Sequence, residues 1–287
     1  KGKIKMEYIK WVIIYLIFSL IFPQCFKETN RSMKNASALT ILLEIFTALF
    51  ALILSPLFAY KFSLNPEILL TLGVVTIIYA ATDRLNIEAR YGLAPSTFSM
   101  LKQLSTVFLV IFGFVFLKEK IILTKVVGII LILLANILLS TNNKGKLELN
   151  KYFIMCIISN FLFAIAMFIN VNISENFNIG LYTVITVLIP SLIIKLVSRI
   201  SINDLKQEFK LYDKKKFMPV SFSWAMMLIS SVKAYEYGNI SIVASLLTLS
   251  MVTNSIYEFF IDKDKKSLKR KLLVSLLIVI GITLIKK

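Results

Sequence analysis

Long uninterrupted apolar blocks constrain this chain more than any other feature of its sequence. Most are close to 20 residues long, about the length of an α-helix that crosses a hydrocarbon layer roughly 30 Å thick. They are continuously apolar and lack the in-out alternation of transmembrane barrel strands. The sequence therefore predicts an all-α membrane protein with ten transmembrane helices, over residues 8–24, 36–60, 66–84, 94–117, 121–140, 152–172, 179–199, 217–236, 240–260 and 271–285.

The composition fits a lipid environment better than water. Of the 287 residues, 57% are hydrophobic and only 17% are charged, and the mean hydropathy is +0.80. A soluble domain of this size has no core large enough for so much apolar surface. The chain is thus expected to be an integral membrane protein in contact with membrane lipid, in a plasma membrane of the bacterial type.

The excess of positive charge has its own explanation in a membrane protein. There are 33 Lys and Arg against 16 Asp and Glu, and most of the cations lie between the apolar blocks. Lys and Arg at such positions orient the loops and contact anionic lipid. No basic face with interleaved aromatic residues stands outside the blocks, so nucleic acid is not expected as a partner. The positions of the cations favour an orientation with both termini outside.

The blocks indicate an internal duplication. Tyr91-Gly92 precedes an apolar helix, a charged turn and a last apolar helix, and Tyr237-Gly238 does the same 146 positions later. Two five-helix halves, 1–143 and 144–287, account for this pattern. Because five is odd, the second copy would cross the membrane in the opposite orientation, as in many transporters with a substrate site between inverted repeats. The alternative is that any two stretches of membrane helix look alike.

Lys102 is the most informative polar residue inside an apolar block. It lies about eight residues into the fourth block, where a charge costs at least ~2.5–3.5 kcal/mol on insertion scales. Ser99, Ser105 and Thr106 share its helix face at three- and four-residue spacing, and Gln103 follows it. We interpret this stripe as part of a central cavity in which Lys102 binds an anionic group. A structural ion pair, for example with Glu44, is the alternative.

Two acidic residues are candidates for proton coupling. Glu44 lies deep in the second block, where it could carry a proton or simply neutralise Lys102. Glu258 follows Ser250 and Asn254 at four-residue steps in the ninth block, so one face of that helix is polar. Its position near a helix end leaves open that Glu258 is solvated there.

Further candidate substrate contacts are polar residues that could equally join helices. Asn254 and Tyr257 belong to the polar side of the ninth block, Asn160 lies in the middle of the sixth, and Tyr79 lies in the third. Side-chain hydrogen bonds between membrane helices contribute about 0.6 kcal/mol on average, so either role suits residues of this kind.

The chain lacks the residues that several kinds of chemistry need. There is no histidine, and Cys25 and Cys156 stand apart from each other, so neither a metal site nor a catalytic triad is expected. The phosphate-binding pattern GxxxxGK[S/T] does not occur, so the sequence offers no means of ATP drive and implies no cofactor. We therefore expect that the protein is not an enzyme and that transport by it is driven by a gradient or by exchange.

The fourth and ninth blocks resemble helices of the drug/metabolite transporter superfamily, in its EamA-like members. The resemblance implies ten helices in two inverted five-helix halves across essentially the whole chain. It is carried by Ala94-Pro95-Ser96-Thr97-Phe98-Ser99-Met100-Leu101-Lys102-Gln103-Leu104-Ser105-Thr106-Val107-Phe108, by the closing turn Phe116-Leu117-Lys118-Glu119-Lys120, and by Ile240-Ser241-Ile242-Val243-Ala244-Ser245-Leu246-Leu247-Thr248-Leu249-Ser250.

Lys102 adds a narrower resemblance. Nucleotide-sugar and triose-phosphate transporters of this superfamily have a lysine just before the leucine-serine step of the same helix, where it helps bind a substrate phosphate. Those carriers usually have further basic residues in the second half, whereas the ninth block here offers Asn254 and Glu258. The second closing turn, Asp262-Lys263-Asp264-Lys265, also departs from the pattern.

Together these features favour a secondary transporter that moves a small polar metabolite by alternating access at a midplane cavity. Lys102 makes an anionic metabolite the natural variant of this hypothesis. An intramembrane enzyme is disfavoured because no acid cluster, metal set or nucleophile with its base is evident. A flippase for a lipid-linked substrate and a non-transporting membrane scaffold subunit are the alternatives.

Overall fold

The computed structural model describes residues 2–116, 122–140, 150–169, 173–237, 243, 246, 247, 249–262 and 265–285. Across these residues the fold is built from α-helices, and strand pairing is limited to one bridge between Phe62 and Phe177. The helices are α1 (Gly2–Arg31), α2 (Ala36–Leu54), α3 (Pro66–Gly92), α4 (Pro95–Leu101), α5 (Leu104–Phe116), α6 (Leu123–Ser140), α7 (Lys151–Ile169), α8 (Ile179–Val197), α9 (Ile202–Lys210), α10 (Lys214–Tyr237), α11 (Ser250–Asp262) and α12 (Lys265–Ile285).

The prediction of an all-α membrane protein is confirmed. Six helices within the described part of the chain are long and apolar enough to cross a membrane: Glu7–Lys27, Ala36–Leu57, Pro66–Gly92, Lys151–Ile169, Ile179–Val197 and Lys214–Tyr237. The four remaining predicted spans are shorter, broken, more charged or only partly described. The fourth is divided between α4 and α5, and α12 begins with several Lys and Arg residues. The full count of ten thus stays a prediction.

Helix α3 extends further than its hydropathy suggests. The predicted block ended at residue 84, whereas the helix continues to Gly92. Asp83 and Arg90 therefore stand two turns apart on one continuous helix. Asn65 accepts a hydrogen bond from the Glu67 N–H and starts this helix, with Pro66 in the first position.

Neighbouring helices pack antiparallel. Along α3 and α7, Tyr79 lies near Phe163, the Asn86 amide oxygen accepts the Ser159 hydroxyl at 2.8 Å, and Glu88 pairs with Lys151 at 3.2 Å. Rising residue numbers on α3 thus meet falling numbers on α7. Helices α1 and α10 run in the same relation, since Val12 shares an apolar cluster with Ala234 and Phe22 contacts Trp224.

Close approach of α6 and α12 depends on two glycines. A Cβ on Gly128 would lie 2.5 Å from the Gly281 carbonyl oxygen, and one on Gly281 would lie 2.8 Å from that of Gly128. At the other end of the pair the Arg270 Nε donates to the Leu138 carbonyl at 2.9 Å, so these helices are antiparallel as well. The absence of a side chain at Gly128 and Gly281 thus allows the two helices to pack closely.

Helices α2 and α8 make a second tight antiparallel contact. A Cβ on Gly180 would lie 2.6 Å from the Ser55 Cα, and the Asn178 amide donates to the carbonyl of Ser55 at 3.1 Å. At the opposite end the Ser37 hydroxyl donates to that of Ser198 at 3.0 Å. Helix α2 is thereby fixed along its whole length.

The long basic loop expected at 200–216 contains the surface helix α9. A capping box starts it: the Ser201 hydroxyl accepts the Asp204 N–H, and Asp204 accepts the Ser201 N–H. The Ser201 hydroxyl, at 2.6 Å, and the Ser201 N–H both donate to the Asp204 carboxylate and hold the pKa of Asp204 below its usual range. Glu208 of α9 accepts the backbone N–H groups of Lys34 and Asn35 at 3.0 and 3.1 Å. The helix therefore fastens the turn between α1 and α2.

Candidate functional site

The predicted fourth transmembrane helix is broken at Lys102 and Gln103. Helix α4 ends at Leu101 and α5 begins at Leu104. At the break the Gln103 N–H bonds the Met100 carbonyl at 3.1 Å, and the Ser105 N–H bonds that of Lys102 at 3.2 Å, so both reach back three residues instead of four. A break inside lipid is tolerated only where other groups satisfy the freed backbone.

Three polar side chains satisfy the backbone at this break. The Gln103 amide donates to the Ser99 carbonyl at 3.2 Å, and the Ser105 hydroxyl donates to the Lys102 carbonyl at 2.7 Å. From α7, the Asn160 amide donates to the Leu101 carbonyl at 3.1 Å. The polar stripe that the sequence predicts is therefore in large part the support of a discontinuous helix.

A cavity opens beside the break. It is a small, partly open cavity of about 30 Å³ between helices α1, α3, α4, α10 and α11. The predicted site residues Lys102, Gln103 and Ser99 line it. Its full lining is Tyr15, Ser19, Phe22, Pro23, Arg90, Phe98, Ser99, Lys102, Gln103, Met227 and Ser250.

Two cations face this cavity and rest on aromatic rings. The Arg90 guanidinium carbon lies 3.7 Å from the ring centre of Phe98 and 4.9 Å from that of Phe22. The Lys102 ammonium lies 5.6 Å from the ring centre of Phe163. Among the described residues neither cation has a carboxylate within 4.0 Å. Cation–π contacts stabilise both groups, and the ion pair with Glu44 considered as an alternative for Lys102 is not seen within that distance.

A pair of carboxyl groups lies behind the cations. Glu44 of α2 is 0% exposed, and its carboxyl lies within hydrogen-bonding reach of that of Asp83 on α3. Neither Glu44 oxygen receives a hydrogen bond from another described group. Asp83 is also close enough to Lys102 and Arg90 to interact with both electrostatically. Asp83 thus interacts with both Glu44 and Lys102.

Sequence reasoning missed Asp83 and Arg90. Asp83 lies at the end of the predicted third span, 66–84, and was not singled out, whereas Arg90 was placed in the loop that follows because the charges there lower the hydropathy. Two signals were available: their seven-residue spacing puts them on one helix face, and the next glycine or proline after the block is Gly92.

Glu258 has a different role from the one expected. Its Oε1 accepts the Ser96 N–H at 2.8 Å, and its Oε2 accepts the Ser96 hydroxyl at 2.5 Å and the Lys271 ammonium at 2.6 Å. A carboxylate at a helix N-terminus is favoured by the helix dipole and supplies acceptors for free N–H groups. Glu258 thus fastens the start of α4 and does not line the cavity beside Lys102.

The other predicted contacts are distributed around the cavity rather than within it. Asn254 joins α1 and α11, since it donates to the Ser19 carbonyl at 3.1 Å and accepts the Gln24 amide at 3.0 Å. Tyr257 is 40% exposed, and Tyr79 packs beside Phe163. The side chain of Thr106 lies outside the described residues.

No group of three or more Cys, Asp or Glu side chains suited to a metal ion occurs in the described part of the chain. Chemically, the cavity offers two positive charges, aromatic walls and the hydroxyl groups of Tyr15, Ser19, Ser99 and Ser250. This arrangement suits binding of a small anion with some apolar surface.

Comparisons with known proteins bear on the fold. No family model and no curated protein matches the chain. A solved structure, described only as a crystal structure of a protein, is similar over 99% of this chain and 96% of its own, with a TM-score of 0.55 and 12% sequence identity. The whole chain therefore adopts a fold already seen in another protein.

Proposed function

We propose that this protein is a secondary transporter for a small anionic metabolite, with the cavity at the α4–α5 break as its substrate site. One observation carries the proposal: Arg90 and Lys102 both face this cavity, and among the described residues neither has a carboxylate within 4.0 Å. Two positive charges inside a membrane protein cost free energy unless a ligand neutralises them. A discontinuous helix at the site is also typical of secondary transporters.

The packing of the helices supports two inverted five-helix halves, 1–143 and 144–287. Taken in chain order with α4 and α5 as one unit and the surface helix α9 set aside, exchanging each helix with its counterpart turns the α1–α10 contact into the α7–α3 contact. The α2–α8 and α6–α12 contacts map onto themselves, and both are antiparallel, as inversion requires. The junction near residue 143 lies outside the described residues.

The break itself has a counterpart in the second half. Gln103 lies in the turn between α4 and α5, and Leu249, 146 positions later, lies in a turn directly before α11. Residues 240–242, 244, 245 and 248, which belong to the same predicted span, lie outside the described residues. Two interrupted helices at corresponding positions are a pointer to a binding site between repeats.

We infer from the same features that the chain is related to the drug/metabolite transporters it resembles, with ten transmembrane helices. Its second cation differs in origin from that of their phosphate-binding members, because Arg90 comes from the first half. The closing turn at 117–121 lies outside the described residues, so the helix-four resemblance rests here on residues 94–108.

The two cations select the chemistry of the substrate. A guanidinium binds carboxylate and phosphate groups with two parallel hydrogen bonds, whereas an ammonium acts as a point charge. The rings of Phe22 and Phe98 hold the Arg90 plane and leave its edge for the ligand. A carboxylate or phosphate ester with a compact body is the class that fits.

Transport in proteoliposomes tests the proposal. Purified protein is screened by thermal shift against a panel of carboxylates and phosphate esters, and the anions that stabilise it are then assayed for uptake and exchange. We expect Lys102→Ala to lower uptake by tenfold or more, equivalent to about 1.4 kcal/mol, because one of the two substrate charges is unmatched. Lys61→Ala, in an exposed loop, is the matched control.

Two outcomes would contradict the proposal. One is wild-type uptake in a folded Lys102→Ala protein. The other is that no anion in the panel stabilises or crosses, while labelled lipid in the same vesicles is exchanged between leaflets only when the protein is present. That second result would favour the flippase.

A further inference from the structure

We propose that Glu44 and Asp83 form a proton-binding pair whose protonation accompanies anion binding at Arg90 and Lys102. The inference rests on the proposed function and adds the coupling ion to it. Protonation and anion binding then favour each other, so that the anion crosses the membrane together with a proton.

The geometry of the pair requires a proton. Glu44 is fully buried, lies within hydrogen-bonding reach of Asp83, and receives no hydrogen bond from any other described group. Two ionised carboxylates have no donor between them, and two adjacent negative charges, one of them fully buried, repel strongly. One shared proton removes a charge and supplies the donor, as in other paired carboxyl groups.

Asp83 connects this pair to the anion site. It faces Arg90, two turns along the same helix, and Lys102 at the break. Tyr15 of α1 and Cys156 of α7 face the cations from the other side. Helices α8 and α10 also pack on α2, and their described residues bring no charged group to the pair. When the Glu44–Asp83 pair holds one proton, the two cations face a single negative charge.

The sign of the coupling follows from this charge balance. In the empty site the cations stabilise the negative charge on Asp83. An anion bound to Arg90 and Lys102 neutralises them, so the Asp83 charge stands uncompensated beside Glu44 and a further proton is taken up. Because linkage is reciprocal, protonation of the pair tightens anion binding by the same factor.

Infrared difference spectroscopy tests the pair without any ligand. Wild-type protein in lipid should show a carboxylic-acid C=O band that is lost as the pH is raised. Glu44→Gln should remove this band, because Asp83 alone beside two cations stays ionised. Asp83→Asn should leave a band that no longer titrates, since Glu44 then has no charge nearby to favour its ionised form. Glu67→Gln, at an exposed position, is the control.

Removing one cation by mutation imitates its neutralisation by an anion. In Arg90→Gln the acid band should persist to a pH about one unit higher, equivalent to tenfold in proton concentration. Lys102→Gln provides a second variant in case the first does not fold. A wild-type band that Glu44→Gln does not remove would overturn the proton pair. A band that is unmoved in every folded cation variant would overturn its link to the anion site.

A transport measurement separates failure of the coupling from failure of the proposed function. Inorganic phosphate, and any anion that stabilises the protein, are followed into proteoliposomes with and without an imposed pH gradient. We expect acid on the side of the anion to accelerate uptake tenfold or more in wild type but not in Glu44→Gln, which should still exchange anions. Uptake that does not depend on the pH gradient would refute the coupling but not the proposed anion transport. No flux of any anion, with an intact acid band, would refute the transport function and with it the linkage.

Discussion

At the scale of single residues, the site shows how a membrane protein keeps cations available. Arg90 is held between two phenylalanine rings and Lys102 lies over a third, so aromatic faces take the place of counter-ions. A salt bridge would have stabilised these charges more strongly but would also have occupied them. Because neither cation forms a salt bridge with another described residue in the empty site, both can still gain electrostatic energy from a bound ligand.

Replacing Arg90 by lysine tests this arrangement. Arg90→Lys keeps the charge but loses both the stacked plane and the paired hydrogen bonds. We expect anion affinity to fall by roughly tenfold to a hundredfold, about 1.4–2.8 kcal/mol, with little change in thermal unfolding. Titration of a stabilising anion against both proteins measures the difference, and Arg31→Lys at an exposed helix end is the control. Unchanged affinity would mean that only the charge of Arg90 matters.

Individual residues also show how much of the site could be predicted from the sequence. Lys102 was identifiable because its charge interrupts an apolar block, and the structure places it on the cavity. Asp83 was not singled out at the end of the third predicted span, and Arg90 was hidden because hydropathy treats a charged helix end as a loop. Glu258, Asn254 and Asn160 are indistinguishable in sequence from ligand contacts, and only their hydrogen bonds reveal that they join helices.

At the scale of elements, the broken helix is the feature that hydropathy conceals. Residues 94–117 are apolar enough to predict one continuous helix, yet the chain turns at Lys102 and Gln103. The break depends on side chains from another helix, above all Asn160, and such tertiary support leaves no local signature. Helix α9 was hidden for the opposite reason, since its polarity resembles that of a loop.

Asn160 should therefore matter for both stability and transport. Asn160→Leu removes the donor to the buried Leu101 carbonyl, which we expect to cost about 1–3 kcal/mol in unfolding free energy. Because the break positions Lys102, transport per folded molecule should also fall. Ser159→Ala, one residue away, loses a bond to Asn86 instead and serves as the control. Equal transport losses in the two variants would argue against a specific role for the break.

At the scale of the whole molecule, helices that are far apart in the sequence pack against each other. Helix α1 packs on α10, α3 on α7 and α6 on α12. Sequence predicts the helical segments and their approximate ends because those depend on local composition. Which helices meet depends on surfaces scattered along the chain, and only the antiparallel course of successive helices follows from short links.

The α6–α12 contact gives a direct test of this assembly. Gly128→Ala would place a Cβ 2.5 Å from a backbone oxygen, so the two helices must separate. We expect a lower unfolding temperature and a reduced yield of folded protein, whereas Gly73→Ala in α3 has open space and should be neutral or stabilising by up to about 1 kcal/mol. Thermal unfolding in one detergent measures both. An unaffected Gly128→Ala protein would show that this contact is not limiting.

The position of Trp224 has a practical consequence. Its ring lies 5.5 Å from that of Phe22, which in turn stacks under the Arg90 guanidinium. A ligand that draws the guanidinium away changes the surroundings of Phe22 and, through it, of the indole. The chain has two tryptophans, and the other, Trp11, lies beside Phe58. In a Trp11→Phe background, intrinsic fluorescence becomes an optical readout of the cavity, so candidate substrates can be sorted without labels before any is identified.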